Sequence, residues 1–502
     1  MPSVNRLIGE THLTRDMRGF DASARLRPTR TRRPRPSAPP AVATPTGFFP
    51  SVIGRHRPAP RQAVALVTNQ RPQRHPHTPT PYAARLRDAT HLDSVAAMLD
   101  RSEVVIAGGS IAGTALATLL GRQGVSVTVL EKSPKPEHYK VMCSHFIQAG
   151  GTPVLERLGI VETLERAGAI RNGLEIWTEG GGWCVVPDDE PGYSIRREKL
   201  DPMLRELAAR TPNVTVRQGV TVTGLARDAR GRPSGVRGRT ADGDEVAIDA
   251  QVVVGADGRG SAIARLAGIP GRVLPHGRIG YMAYYEGLQL TARDPRHSQM
   301  WLGPDVRYCF PNDDGLTIAA AFVRKDQLPA FKADAETALE AGFANLPGAP
   351  DFARATRVSP LLGKVDMPNV VRPAARPGVA FVGDAAQASD PLWGVGCGFA
   401  LQSASWLADE LAGPLTAGTD PDAGLDRYRR RHRRMLLGHH LQTSDFSNGR
   451  DLNPLERLLF RGAAQDDRTA ALIADVAARA QPVDRTFTPR RVARALAMGA
   501  TR

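Results

Sequence analysis

The chain has little of several residue types that mark particular classes of protein. Its 502 residues include four cysteines, with no CxxC pair, which excludes a disulfide-stapled scaffold and a zinc ribbon. No run of about 18 apolar residues occurs, so the sequence predicts no transmembrane segment. No HExxH motif is present, and we predict no metal site. The remaining composition, 41% hydrophobic and 23% charged, is typical of a globular protein.

The formal net charge of +15 is distributed unevenly along the chain. Residues 1–97 contain 16 arginines, no lysine and five acidic residues, so this part carries +11. The following residues carry only +4. Because the basic balance belongs to the first part, it does not by itself indicate a nucleic-acid partner, and we expect none.

Residues 1–97 form an extension rich in arginine and proline. They hold 14 of the 40 prolines and lack both a lasting periodicity and the apolar core of a secretory signal. We predict that this extension is mostly disordered, because it has too little apolar surface to bury. A dispensable or non-native extension, with the native start at Met98, is the preferred interpretation; a native disordered tail and organelle targeting are the alternatives. The expected location is cytoplasmic.

A glycine turn between two apolar runs is the clearest motif. The run EVVIA predicts a strand, GGSIAG (108–113) a turn, TALATLLGRQG a helix, and VSVTVL a second strand that ends at Glu131. This order is typical of a βαβ unit in which glycines let the backbone approach a pyrophosphate and a distal carboxylate accepts from ribose hydroxyls. Ser110 replaces the middle glycine of the GxGxxG pattern. This glycine fingerprint alone leaves NAD and FAD open.

Two later segments point to FAD. VVVGADGRGSAIARLAGI (252–269) is an apolar strand, a GADG turn and a helix. GVAFVGDAAQASDPLWGVGCGFALQSASWLADEL (378–411) is a strand ending in GD, a loop with Pro391, spaced glycines and an amphipathic helix. With these segments in order, roughly residues 98–412 resemble the FAD-dependent monooxygenases of the p-hydroxybenzoate hydroxylase structural family, class A flavoprotein monooxygenases of the bacterial natural-product type.

The resemblance implies a role for each motif. The glycine fingerprint and Arg197 of RREKLDPML (196–204) hold the adenosine diphosphate end and pyrophosphate of FAD. The DG fingerprint, Asp257 and Gly258, helps to bind FAD and NAD(P)H phosphates. The GD fingerprint, Gly383 and Asp384, binds the ribityl chain. The implied cofactor-binding residues are Gly108, Ser110, Ala112, Gly113, Glu131, Arg197, Asp257, Gly258, Gly383, Asp384, Pro391, Gly394 and Gly396.

The last glycines of this set have a physical reason to lie at the flavin ring. A helix begins at this point of the sequence, and its N-terminus stabilises negative charge on a reduced flavin. Asp257 and Asp384 have an alternative interpretation as loop or helix-cap aspartates.

Some positions depart from the family pattern. Gln387 stands where many members have histidine, and Ala264 where they have arginine. The second departure bears on pyridine-nucleotide binding more than on FAD. The segment 138–160 is expected to pass under the flavin, although a packed structural histidine is the preferred interpretation of His145, and a small buried residue that of Cys143. The flavin-proximal candidates for catalysis are Pro391, Gly394, Gly396 and His145.

The predicted fold class is α/β: a Rossmann-like FAD-binding domain, an interleaved and mostly antiparallel substrate-domain sheet, and C-terminal helices. The antiparallel strands are expected within 271–370, where NDDG (312–315) forms a turn. The predicted divisions are the extension (1–97), three FAD-binding parts (98–180, 196–270 and 371–412), a substrate-domain edge (181–195), the substrate-domain sheet (271–370) and the helical region (413–502).

Aromatic residues concentrate in the predicted substrate domain. They suit an aromatic or polyketide-like substrate; the alternative is that strands favour aromatic residues in any case. The residues are Trp177, Trp183, Tyr281, Tyr284, Tyr285, Trp301, Tyr308 and Phe310.

The function that the resemblance implies is oxygen transfer from O2 to a small organic substrate by a monomeric or homodimeric enzyme that uses FAD, with NAD(P)H as the electron donor. One alternative is a reductase of the geranylgeranyl type, which resembles the same three motifs. A flavin-dependent halogenase is disfavoured because its WxWxIP motif is absent. The alternative from another class is a flavin-free, non-catalytic binding protein.

Overall fold

The computed structural model describes residues 100–187 and 191–501. The predicted disordered extension and Met98 lie outside the described residues. The strands are β1 (Asp100–Ala107), β2 (Val127–Glu131), β3 (Phe146–Ile147), β4 (Ile170–Thr178), β5 (Gly182–Val186), β6 (Gly192–Ser194), β7 (Val214–Gln218), β8 (Val220–Arg227), β9 (Pro233–Thr240), β10 (Glu245–Gly255), β11 (Arg272–Leu274), β12 (Arg278–Glu286), β13 (His297–Leu302), β14 (Val306–Pro311), β15 (Leu316–Arg324), β16 (Thr356–Arg357), β17 (Leu362–Lys364), β18 (Asn369–Val371), β19 (Ala375–Arg376), β20 (Val379–Phe381) and β21 (Gln387–Ala388).

The helices alternate with the strands at first and then follow one another to the end of the described chain. They are α1 (Ile111–Gly121), α2 (Thr152–Arg157), α3 (Val161–Arg166), α4 (Arg197–Arg210), α5 (Ala262–Leu266), α6 (Leu328–Ala333), α7 (Ala335–Ala341), α8 (Gly396–Thr416), α9 (Asp422–Phe446), α10 (Pro454–Ala463), α11 (Asp467–Ala478), α12 (Val483–Thr486) and α13 (Pro489–Ala500). None of the described helices is long and apolar enough to cross a bilayer.

A parallel sheet forms the centre of the predicted FAD-binding domain. Its parallel strands follow the order β20-β10-β1-β2-β7. Val104, Val105 and Ile106 of β1 are fully buried, as expected for an apolar run inside a parallel sheet. Because β1, β10 and β20 are neighbours and run in the same direction, their carboxyl ends meet at one edge. The glycine, DG and GD fingerprints follow these three strand ends, so the topology gathers them at that edge.

A second sheet of ten strands covers the predicted substrate domain. The order is β16-β12-β15-β14-β13-β4-β6-β3, with β17 on β12 and β5 on β4. The pairs are antiparallel except β13 with β4. One face, with Met282, Tyr308 and Phe322, shares a core with the parallel sheet. The opposite face, with Ile279 and Tyr285, packs with residues of α6 and α7 in a separate core. The predicted α/β fold with a mostly antiparallel second sheet is confirmed.

The long helices α8 and α9 follow the last strand of the parallel sheet. The first of them packs against α1. The hydroxyl of Tyr428 on α9 donates a hydrogen bond of 2.7 Å to the carbonyl of Phe381, at the end of β20. This contact fixes the second helix against the edge of the sheet at which the fingerprints lie.

The run SIRR (194–197) predicts a strand at the edge of the substrate domain, and this prediction is wrong for its second half. Strand β6 ends at Ser194, and α4 begins at Arg197. The backbone N–H of Arg196 donates to Asp313 Oδ1 over 2.7 Å, and that of Arg197 donates to His145 Nδ1 over 2.8 Å. Side-chain acceptors from distant segments thus take the N–H groups at the start of the helix, which the local sequence does not show.

Candidate functional site

The glycine fingerprint forms a tight turn between β1 and α1. Gly108 has a φ of +113°, and a Cβ at this position would lie 2.4 Å from the carbonyl oxygen of Ala256. A Cβ at Gly113 would lie 1.9 Å from the carbonyl oxygen of Gly108. The helix therefore starts in direct backbone contact with the turn. This packing leaves the N-terminal amides of α1 at the strand edge, where such amides bind phosphate groups.

Glu131 closes this turn from the end of β2. The side chain is buried; Oε2 accepts the N–H of Gly109 over 2.8 Å, and Oε1 accepts the N–H of Ser133 over 2.9 Å. Each carboxylate oxygen keeps further acceptor capacity. The carboxylate is thus held in place by the backbone and remains able to accept hydrogen bonds from ribose hydroxyls.

Arg197 joins the start of α4 to the glycine fingerprint. Its Nη2 donates to Ser110 Oγ over 2.6 Å, and its Nε donates to Asp201 Oδ1 over 2.7 Å. The side chains of Arg197 and Asp201 are both buried. Burial acts to lower the pKa of Arg197, but Asp201, together with Cys397 and Cys143, outweighs it and raises the pKa above its ordinary value. The site thus has a fixed positive charge beside the turn, as a pyrophosphate ligand requires.

The GD fingerprint lies close to the glycine fingerprint. Gly383 has a φ of +57°, and a Cβ there would lie 3.1 Å from Cβ of Ala112. Lys140 Nζ donates to Asp384 Oδ2 over 3.1 Å. Burial acts to raise the pKa of Asp384, but Lys140 and Arg259 outweigh it and lower the pKa below its ordinary value. Asp384 is therefore an ionised acceptor, as hydrogen bonding to a polyol chain requires.

The DG fingerprint is partly structural. Asp257 Oδ2 accepts the N–H of Ile263 over 3.0 Å and so binds the first turn of α5. Its Oδ1 is buried without a hydrogen-bond partner among the described residues. Gly258 follows with a φ of +80°. Asp257 thus supports the helix with one oxygen and leaves the other to accept from a ligand hydroxyl.

The loop with Pro391 is held by a buried carboxylate that belongs to none of the three fingerprints. Asp390 Oδ1 accepts the N–H of Leu392 over 2.7 Å, and Oδ2 lies 2.7 Å from His276 Nε2. Gly394 has a φ of +63°, and a Cβ there would lie 3.4 Å from Cβ of Phe146. The loop therefore approaches the start of β3, and α8 begins at the end of the loop with Gly396, as the sequence predicts.

His145 connects the two predicted domains. It is buried, its backbone has a φ of +60°, and its Nδ1 accepts the N–H of Arg197. Its Nε2 lies within hydrogen-bonding distance of the hydroxyl of Tyr284, on β12. Burial lowers the pKa of His145, so the ring is neutral near pH 7 and carries its proton on Nε2. The expected packed histidine is thus also a hydrogen-bond donor to the ten-stranded sheet.

Among the eight predicted aromatic residues, Tyr284 contacts His145 through its hydroxyl. Tyr308 and Phe310 stack with a centroid distance of 4.2 Å inside the shared core. Trp183, Tyr281, Tyr285 and Trp301 belong to the core on the far face of the sheet. Most of the aromatic residues therefore serve packing, which agrees with the alternative interpretation, and Tyr284 is the exception.

Comparison with known proteins agrees with this geometry. The family model described as "FAD binding domain" matches residues 101–438. Squalene epoxidase 3 of Arabidopsis thaliana is 28% identical over 340 residues, which are 65% of this chain and 62% of that protein. The 6-methylpretetramide 4-monooxygenase of Streptomyces rimosus is 32% identical over 176 residues, 34% of this chain and 41% of that protein. The chain thus spans less than two thirds of the length of these relatives.

A reductase and a halogenating enzyme are also similar to the chain. The digeranylgeranylglycerophospholipid reductase of Methanothrix thermoacetophila is 25% identical over 69% of this chain and 87% of that protein. The structure of the flavin-dependent brominase Bmp2 has a TM-score of 0.67 at 17% identity and covers 79% of this chain and 98% of that one, which shows a shared fold. The glycine turn, the buried cation and the ionised acceptor all fit FAD, and the chain belongs to the FAD-binding domain family, as the sequence motifs indicated.

Proposed function

We propose that the chain is a monooxygenase that takes electrons from NAD(P)H and transfers one oxygen atom from O2 to a small aromatic or polyketide-like substrate. FAD, when bound, supplies the redox chemistry. The chain's own residues bind and orient it: the amides of α1, Arg197 and Asp384 surround the strand edge. A cytoplasmic location and a monomeric or homodimeric state remain predictions.

The observation that carries this proposal is the hydrogen bond between His145 and Tyr284. It joins the segment next to the cofactor-binding residues to the sheet that is implied to form the substrate pocket. Because His145 donates from Nε2, the Tyr284 hydroxyl accepts that bond and keeps its own proton for a further acceptor. Burial raises the pKa of Tyr284, so the phenol stays protonated. Tyr284 is therefore placed to donate a hydrogen bond to a substrate oxygen.

The test uses the purified full chain loaded with FAD. NADH and NADPH oxidation and oxygen consumption are followed under air against a panel of phenols and polyketide aromatics. We expect at least one substrate to stimulate both NAD(P)H oxidation and oxygen consumption and to gain one oxygen atom. Isotopically labelled dioxygen shows whether that atom comes from O2. A yellow protein that consumes NAD(P)H but incorporates no label into any product contradicts the proposal.

The second candidate is a double-bond reductase, which the similarity to the archaeal reductase over 87% of its length favours. The same preparation under anaerobic conditions, with dithionite as reductant and a polyprenyl substrate, distinguishes the two. Saturation of double bonds without oxygen would assign the reductase. Failure of the protein to take up FAD, even after reconstitution, would favour the alternative of a flavin-free, non-catalytic binding protein.

A further inference from the structure

Two cysteines from distant parts of the chain lie side by side among the cofactor-binding residues. Cys143 precedes β3, and Cys397 is the second residue of α8. Their Sγ atoms are 4.0 Å apart across 254 positions of sequence. Both are free thiols, and Cys143 is half-buried while Cys397 is buried. No spacing motif connects them, so the pair is a product of the fold.

The surroundings of the pair favour a thiolate. Arg197 Nη1 lies 4.0 Å from each sulfur, and the backbone N–H of His145 donates to Cys143 Sγ over 3.3 Å. A hydrogen bond from the thiol of Cys397, with the charges of Arg197 and Lys140, lowers the pKa of Cys143 well below its ordinary value. The same bond raises the pKa of Cys397. The surroundings therefore favour ionisation of Cys143 over that of Cys397, with Cys397 as the neighbouring thiol.

The other two cysteines provide a contrast within the same chain. Cys184 and Cys309 are buried in strands, and burial raises the pKa of Cys184 to about 12 and that of Cys309 further. Thiols of this kind are chemically inert in the folded protein. Among the four cysteines, reactivity is thus expected only at the pair Cys143 and Cys397.

We propose that Cys143 and Cys397 form a peroxide-reactive dithiol inside the FAD site. The thiolate of Cys143 attacks one oxygen of hydrogen peroxide, the O–O bond breaks, and a sulfenic acid and hydroxide result. The thiol of Cys397 then attacks the sulfenic sulfur, an S–S bond forms, and the S–O bond breaks. One peroxide accepts two electrons from the two sulfurs and leaves as two molecules of water, with protons from Cys397 and solvent.

The disulfide links the segment expected to pass under the flavin to a segment that carries an implied cofactor-binding residue, Gly396. One segment bears Lys140 and leads to His145, and the other is the N-terminus of α8. The sulfurs must approach from 4.0 Å to about 2 Å, which draws the segments together.

The experiment treats the FAD-loaded full chain with hydrogen peroxide, alkylates the remaining thiols, and identifies digested peptides by mass spectrometry. We expect a peptide in which Cys143 is linked to Cys397, loss of two of the four thiols, and recovery with dithiothreitol. Cys184 and Cys309 serve as internal controls that are alkylated only after unfolding.

Two variants distinguish the attacking cysteine from the resolving cysteine. Cys397→Ser leaves Cys143 without its resolving thiol, so a sulfenic-acid trap such as dimedone should label Cys143. Cys143→Ser should leave Cys397 unmodified by the same peroxide. Survival of all four thiols in the parent protein overturns the proposal, and so does a sulfinic acid on Cys143 with Cys397 still free. Because peroxide is added and the readout is covalent, this result is independent of whether the protein oxygenates any substrate.

Discussion

Lys140 and Asp384, which are 244 positions apart in the sequence, form an ion pair with a distance of 3.1 Å between Nζ and Oδ2. The pair connects the segment after β2 to the GD fingerprint after β20. Lys140 lowers the pKa of Asp384 against the effect of burial. The acceptor that the family resemblance assigns to the ribityl chain is thus kept ionised by a residue outside every motif.

Replacing Lys140 by Met should make FAD binding more sensitive to acid. Asp384 has a lowered pKa, so its contribution is present at neutral pH and is lost as the pH falls through that pKa. Without the lysine the carboxylate protonates at a higher pH. We expect the midpoint of FAD release on acidification, followed by flavin fluorescence, to rise by about half to one pH unit.

Lys135→Met is the matched control for this prediction. Lys135 is exposed and has no ion-pair partner among the described residues. Removal of the Lys135 charge should leave the pH midpoint of FAD release unchanged. Equal shifts in both variants would assign the effect to general charge and not to the pair with Asp384.

The sequence predicted the fold and the fingerprints because both depend on local patterns. Alternating apolar runs and glycine turns fixed β1, α1 and β2, and the order of the motifs indicated FAD. The contacts of Lys140 and Tyr284 could not be predicted for a physical reason: Asp384 and His145, which they meet, lie more than 100 positions away in the sequence. Local signals could have found two further residues: Asp390, because aspartate before proline is a frequent cap, and Asp201, because it follows Arg197 at i,i+4 spacing on one helix.

Replacing Asp201 by Asn should strongly destabilise the fold. Arg197 and Asp201 are both buried, and their side chains form two hydrogen bonds of 2.7 and 2.8 Å. Removal of the carboxylate charge leaves the buried guanidinium without its hydrogen-bonded counter-charge. We expect the free energy of unfolding, measured with urea, to fall by about 3 to 5 kcal/mol.

Glu206→Gln provides the comparison on the same helix. Glu206 pairs with Arg210 at the same i,i+4 spacing, but both side chains are largely exposed. We expect a change of about 0.5 kcal/mol or less. If the two substitutions lowered the free energy of unfolding equally, burial would not be the reason for the contribution of the Arg197–Asp201 pair.

Replacing Gly113 by Ala should disrupt the glycine fingerprint. The added Cβ would lie 1.9 Å from the carbonyl oxygen of Gly108, so backbone must shift. We expect loss of bound FAD and a fall in stability of about 3 kcal/mol. Gly413→Ala in α8, where a Cβ has nothing within 4 Å, should be neutral or stabilising by up to about 1 kcal/mol.

The visible spectrum and thermal unfolding of both glycine variants provide the measurement. A Gly113→Ala protein that retains FAD and its melting temperature would contradict the close packing of α1 on the turn. The Gly413 variant excludes a general effect of alanine in these helices.

Tyr284→Phe should lower the rate of substrate oxygenation while FAD remains bound, a prediction that rests on the proposed function. The variant removes the hydroxyl that His145 contacts and leaves the buried Nε2 without an acceptor. We expect a loss of about tenfold in kcat, corresponding to one hydrogen bond. Tyr281→Phe on the same strand is the control, since its ring stacks on Phe331 on the other face. Similar losses of kcat in both variants would contradict a specific role for the Tyr284 hydroxyl.

The buried histidines of α9 should make the protein sensitive to acid. Burial lowers the pKa of His432, His439 and His440 to about 4 each, whereas an unfolded histidine titrates near 6.5. Between these values the unfolded chain binds protons that the folded chain does not, so stability falls as the pH is lowered from about 6.5 towards 4. At pH 5 each histidine should lower the free energy of unfolding by about 2 kcal/mol relative to its value at pH 7.

His432→Phe tests this linkage at one position. His432 packs edge-on against Trp406 and Tyr428, a setting that an aromatic ring of similar shape can occupy. The variant cannot gain a proton on unfolding, so the difference in unfolding free energy between pH 7 and pH 5 should shrink by about 2 kcal/mol. Urea unfolding at the two pH values measures it. An unchanged difference would mean that His432 becomes charged inside the folded protein at no cost, which its burial between two aromatic rings makes physically unfavourable.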